Sequence, residues 1–80
     1  MSMQTNGVAP EWVATGDGAY AIPAGYTCVG FYATNGGTVA FTSFGTNITP
    51  TVGSNALVPA HITAFNTGGT ATGVYALLAK

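Results

Sequence analysis

Tyr26-Thr27-Cys28-Val29-Gly30-Phe31-Tyr32-Ala33-Thr34, then Asn35-Gly36-Gly37, then Thr38-Val39-Ala40-Phe41-Thr42-Ser43-Phe44, is the stretch on which the fold class turns. Val, Thr, Phe and Tyr dominate both flanking segments, and such side chains fit a pleated, half-buried surface. Period-two alternation places Val29, Phe31 and Ala33 on one face of the first strand, and Cys28, Gly30 and Tyr32 on the other. Asn and Gly accept the positive φ of tight hairpin turns, so Asn35-Gly36-Gly37 reads as a hairpin. Val39 and Phe41 then share a face of the return strand.

The same grammar recurs further on. Ala56 to Val58 is a short strand ending at Pro59, and His61 to Phe65 is another. Asn66-Thr67-Gly68-Gly69 reads as a second hairpin turn. Thr72 to Leu78 is the last strand, with Val74, Ala76 and Leu78 alternating with Tyr75 and Leu77. Both sets are apolar, which predicts a central strand buried on both faces. Ile22-Pro23-Ala24 opens the first block and Val58-Pro59-Ala60 the second, and residues 22–44 and 58–80 are equally long. Two Pro-led hairpins stacked together predict an all-β fold, a small antiparallel sandwich or barrel.

Toward the N-terminus, Glu11 to Ala14 and Ala19 to Ile22 are short strands around the turn Thr15-Gly16-Asp17-Gly18. Residues 1–17 are expected to form an extended N-terminal arm, and 18–80 a single small β domain. Gly45 to Ser54 reads as a loop or weak strand pair, interrupted by Pro50 and Gly53. No window carries the i, i+3, i+4, i+7 apolar stripe of a helix.

Composition narrows the function. Hydrophobic residues make up 48% of the 80 residues, whereas charged residues are only 4%, namely Glu11, Asp17 and Lys80. A soluble monomer ordinarily spreads many charges over its surface. A chain this short usually gains stability from disulfides, a metal or oligomerisation. Cys28 has no second cysteine to pair with, and one His and one Cys do not make a metal-ligand set. Oligomerisation is the remaining route. With one lysine and no arginine there is no charge to neutralise phosphates, so no nucleic-acid partner is expected. The longest apolar run, Val74 to Ala79, is far below a membrane span of about 20 residues, and no membrane partner is expected. Met1-Ser2-Met3-Gln4 lacks the basic and apolar regions of a secretory leader.

The reactive side chains do not assemble into a catalytic pattern along the chain. His61 is the only imidazole and Cys28 the only thiol, with no cationic neighbour in sequence to activate it. Glu11 and Asp17 are the only carboxylates and sit beside a turn. The Gly pairs lack the following Lys-Ser/Thr of a P-loop and the spacing of a dinucleotide-binding loop. No enzyme activity, catalytic residue, metal or cofactor is expected. Aromatics that flank turns and strand ends are the candidate interface residues: Trp12, Tyr20, Phe44 and Phe65, with Trp12 foremost, since Trp and Tyr are enriched in binding hot spots.

The segment Asn66-Thr67-Gly68-Gly69-Thr70-Ala71-Thr72-Gly73-Val74-Tyr75-Ala76-Leu77-Leu78, preceded by Val58-Pro59-Ala60, resembles the C-terminal strand of small tailed-phage virion proteins. Gly36-Gly37-Thr38-Val39-Ala40-Phe41-Thr42 is similar to an earlier strand of the same family. The resemblance covers residues 19–80 and rests on short motifs. Where family members often carry Arg before the final turn, this chain has His61-Ile62-Thr63-Ala64-Phe65. The resemblance implies a β-structured virion component, either a head decoration (cement) subunit or the base of a spike or fibre. It implies symmetric homo-oligomers and a major capsid or other virion protein as partner, with the chain made in the host cytoplasm and located in the virion. The rival expectations are a carbohydrate-binding or adhesive module and, more remotely, an ice-binding protein, for which regular Thr-x-Thr ladders are lacking.

Overall fold

A computed structural model of the chain describes residues 11–80. Ten strands follow one another: β1 (Glu11–Ala14), β2 (Tyr20–Ala21), β3 (Thr27–Asn35), β4 (Gly37–Thr38), β5 (Phe41–Ser43), β6 (Thr46–Ile48), β7 (Thr51–Val52), β8 (Ala56–Ile62), β9 (Ala64–Phe65) and β10 (Thr72–Ala79). They form a four-stranded sheet β1-β10-β3-β8, a second of order β2-β9-β5-β6, and a small ribbon β4-β7. Every pairing is antiparallel. The all-β antiparallel class read from the sequence is the class found.

The core lies between the two larger sheets. Phe31 from the first sheet meets Phe41 and Phe65 from the second, at ring-centroid distances of 5.8 and 6.1 Å. Cys28, Ala33, Ile62, Val74, Ala76 and Leu78 complete the first sheet's inner surface, and Val39 and Ala71 fill in from the connections.

The two expected hairpins do not form. β3 pairs with β10 and β8, not with β4 or β5, and β9 pairs with β2 and β5, not with β10. Asn35-Gly36-Gly37 and Asn66-Thr67-Gly68-Gly69 instead carry the chain from one sheet to the other. The Gly-Gly-Thr segments that end them, residues 36–38 and 68–70, clasp each other. Thr38 N donates to Thr70 Oγ1 at 2.9 Å, and Thr70 N donates to Thr38 Oγ1 at 3.0 Å. A Cβ on Gly37 would lie 2.8 Å from Ala71 N, and one on Gly69 would lie 2.7 Å from Thr38 O. The glycines are there so that two backbones can approach. The sequence echo is real, but its physical meaning is mutual packing rather than two local turns.

Among the described residues, the one tight hairpin lies where a strand end was expected. Phe44 and Gly45, at φ 49 and 77, connect β5 to β6 in the double positive-φ form that two-residue hairpins favour. A further departure comes from a β-bulge between Cys28 and Gly30. An extra residue there reverses the alternation, so Cys28 joins the core while Val29 is exposed.

Residues 11–17, placed with the arm on sequence grounds, are tied into the domain, and residues 1–10 lie outside the described residues. β1 pairs with β10 along its whole length. Asp17 then accepts hydrogen bonds from Val74 N (2.9 Å) and Gly73 N (3.2 Å), while Thr15 N donates to Val74 O at 3.0 Å. This carboxylate serves as a clamp on the start of β10.

Candidate functional site

The first sheet has a second face, and its composition is unusual. One row across its four strands reads Ala14, Tyr75, Tyr32, Leu57, and the next reads Trp12, Leu77, Gly30, Pro59. Neither row contains a charge. Successive side chains along a strand point to opposite faces, so the burial of Val74, Ala76 and Leu78 turns Tyr75 and Leu77 outward. β10 is central, as its double apolar alternation predicts, but only one of its faces is covered. Tyr75 is 40% exposed, Trp12 48% and Leu57 61%.

Three of these side chains form a cleft. Trp12 meets Tyr32 edge-to-face, with ring centroids 6.3 Å apart at 70°. Together with Tyr75 they line an open, almost wholly apolar recess of about 410 Å³. Tyr32 Oη donates to Asn55 Oδ1 at 2.7 Å, which fixes the ring and places an amide nearby.

A second exposed feature stands at the opposite edge of the sheet. Phe44, at the tip of the β5–β6 hairpin, is 81% exposed. Its ring stacks on His61 of β8, centroids 4.6 Å apart and planes 17° from parallel. His61 follows Leu57 and Pro59 at period two, and all three are exposed.

The four aromatics singled out from the sequence thus fall in different places. Trp12 lines the cleft and Phe44 tips the hairpin. Tyr20 is half-buried against Phe65, centroids 6.4 Å apart, and Phe65 belongs to the core. Tyr32, Tyr75 and Leu57 were missed as surface residues. Alternation in β3 and β10 places the two tyrosines opposite the core residues, but it does not reveal that this side is open.

The groups with chemical reactivity are otherwise engaged. Cys28 is fully buried and donates from Sγ to Gly30 O at 3.2 Å. Burial pushes its thiol above the usual value of 9.0, outweighing the hydrogen bonds that act the other way. His61 stacks on Phe44, and Asp17 is held by backbone amides. Among the described residues no group of three or more His, Cys, Asp or Glu stands close enough to hold a metal ion.

Cys28 is therefore expected to resist an aromatic disulfide reagent in the folded protein and to react at once in denaturant, where the thiolate forms freely. The sign of the pH dependence follows. Above pH 9.0 the unfolded thiol loses its proton while the folded one keeps it, so this group's contribution to stability declines from that pH upward, through the native value. Urea titrations at pH 7 and 10 on the wild type and Cys28→Ala check this: the wild type should lose more stability between the two pH values than the variant.

Comparisons with protein-family models, with curated proteins and with solved structures find no match to this chain.

Proposed function

We propose that this chain is a structural module that assembles through the open face of its four-stranded sheet, as a decoration or spike-base component of a tailed-phage particle. The observation that carries the assembly reading is the pair of uncharged rows centred on Tyr75, Tyr32 and Leu77. A contiguous exposed apolar patch rimmed by polar residues marks an interaction site. The virion assignment rests on the resemblance of residues 19–80 to phage proteins, and a major capsid or other virion protein is the expected larger partner.

Face packing is favoured over edge pairing. β8 is an edge strand, and Pro59 within it offers no amide donor to a neighbouring strand. β1 at the other edge is described over 4 residues, and β2 and β6, which flank the second sheet, are 2 and 3 residues long. An uncharged contact face also predicts assembly that salt does not weaken.

Sedimentation velocity on the full chain at tens of micromolar tests this. A defined oligomer that persists between 0.1 and 1 M NaCl, over which the screening length falls about threefold, is the expected result. A well-folded monomer over that range contradicts the assembly reading.

A sugar-binding or adhesive function is the second reading, favoured by the same cleft. Trp12, Tyr32 and Tyr75 offer ring faces on which a pyranose stacks, with Asn55 near to hydrogen-bond a hydroxyl. A specific signal on a glycan array, lost in Trp12→Ala, would favour it over assembly alone.

A further inference from the structure

We infer that the contact between copies is a knob in a cleft, with Phe44 of one copy seated between Trp12, Tyr32 and Tyr75 of the next. This rests on the assembly reading above and supplies the two halves of the contact.

The knob is marked by backbone conformation. Among the described non-glycine residues, Asp17, Phe44 and Asn55 have positive φ. Asp and Asn tolerate that region, whereas a bulky aromatic there is an outlier. Asn is the favoured residue at the first position of such a hairpin. Strained residues persist where the surroundings over-determine them, and they cluster at functional sites. Within its own chain Phe44 gains one stacking contact and leaves four-fifths of its surface in water. The hairpin beneath it is well anchored. Thr42 Oγ1 donates to Asn47 Oδ1 at 2.8 Å, Asn66 Nδ2 donates to Thr42 Oγ1 at 3.0 Å, and Thr63 N donates to Thr42 O at 2.9 Å. Phe44 is an apolar ring held out from the body on a pinned support.

The cleft is its complement. A cavity of about 150 Å³ lined by apolar side chains holds a benzene ring. The recess at Trp12, Tyr32 and Tyr75, about 410 Å³, is shallow and open to solvent, so it has room for a ring but walls it only on the side of these three side chains. Phe44 cannot fill the cleft of its own chain. It stands over His61 on β8, whereas Trp12 is on β1, and β10 and β3 lie between. Three strand spacings, about 14 Å, separate His61 from Trp12, and Tyr32 on the adjacent β3 pairs with Leu57, four residues or about 13 Å along β8 from His61. The two features meet only between copies. Because they differ, the contact is head-to-tail, and it closes into a ring when the rotation permits and grows a filament when it does not.

Area and charge agree with this occupant. An aromatic side chain buries about 200 Å². At exposures of 81, 48 and 40%, Phe44, Trp12 and Tyr75 can together remove about 340 Å² from water. A standard interface buries about 1,600 Å² over both partners, so these three rings supply about a fifth of it and form its centre, with Leu57, Leu77 and Pro59 around them. No charged residue belongs to either half, so copies meet without repulsion.

The test uses two variants and their mixture. Phe44→Asn removes the knob and relieves the backbone strain, so at a concentration low enough to dissociate both proteins it should melt no lower than the wild type, while at higher concentration it self-associates at least about 30-fold more weakly. Trp12→Ala removes one wall of the cleft and should weaken association similarly. Tyr75→Thr opens the cleft from β10 with a residue that favours strands, and stands in if Trp12→Ala does not fold. An equimolar mixture of the knobless and cleftless variants should then give a 1:1 dimer and nothing larger, because one intact knob and one intact cleft remain. Phe44→Asn that assembles like the wild type overturns the knob-in-cleft contact while leaving assembly through the face standing. A mixture as monomeric as its components also overturns it. A monomeric wild type removes the assembly reading itself.

Discussion

Phe31→Ala is expected to lower the unfolding free energy by about 3–5 kcal/mol, the range for emptying a buried aromatic site. Phe31 has no exposed surface and is the largest fully buried side chain. It is also the ring through which the sheets touch, at 5.8 Å from Phe41 and 6.1 Å from Phe65. Alanine there loses the transfer free energy of the ring and leaves a void that two opposing sheets close only by shifting together. A chain of this size has a total stability of about 4–12 kcal/mol, so the loss is a large fraction of the whole. Urea denaturation of the wild type and the variant measures it, at one protein concentration because assembly adds stability by mass action. Phe31→Leu keeps much of the apolar volume and should lose less than half as much. A Phe31→Ala protein within about 1 kcal/mol of the wild type would mean that the sheets are held together elsewhere.

Gly37→Ala is the second large effect, and it acts by intrusion instead of by loss. The added methyl carbon would sit 2.6 Å from Thr70 Oγ1, 2.8 Å from Ala71 N and 3.0 Å from Thr70 C. Two of those atoms are backbone and cannot swing aside. The residue also has φ +150, which a side chain rarely adopts. Overpacking costs about 1–3 kcal/mol and a disfavoured backbone conformation about as much again. Together they come to about 2–6 kcal/mol, or a fall of at least about 8 °C in Tm for a domain of this length. Gly53→Ala is the matched control, since its methyl carbon would meet nothing within 4 Å. It should melt within a few degrees of the wild type, or slightly higher because alanine restricts the unfolded chain. Thermal scans of the pair separate the clasp of the two Gly-Gly-Thr segments from any general cost of removing glycine.

The clasp also explains why the local reading of those segments failed. Asn-Gly-Gly carries strong hairpin chemistry, and nothing within three residues distinguishes a turn from a crossing between sheets. The distinction lies 32 residues away, where Thr70 answers Thr38 with a reciprocal pair of hydrogen bonds. Conversely, Phe44-Gly45 carries weak turn chemistry, since a phenylalanine at positive φ is a poor sequence signal, and yet it makes the tight hairpin between β5 and β6. Local propensity and tertiary structure disagree at this residue, and disagreements of that kind concentrate at functional positions.

The candidate site was legible in part. Trp12 and Phe44, chosen as interface candidates because they flank turns, are exposed, whereas Phe65, chosen on the same ground, is inside. Flanking a turn marks where a ring is in the chain, not which side of the sheet it takes. Tyr32 and Tyr75 were visible as the alternate residues of two strong strands, but both faces of β10 read as buried.

By itself, the sequence determined the all-β class, the central place of β10, the inability to form an internal disulfide and the near-absence of charge. Each follows from residue types and from period-two alternation, which the backbone imposes locally. The tertiary structure alone decided that β3 lies between β10 and β8, that a bulge exchanges Cys28 for Val29 on the inner face, and that the Tyr75 face is open. The physical reason is the same in each case. Alternation sorts side chains into two sets, but which set is covered depends on strands brought together from distant parts of the chain, and on how many strands there are to do the covering.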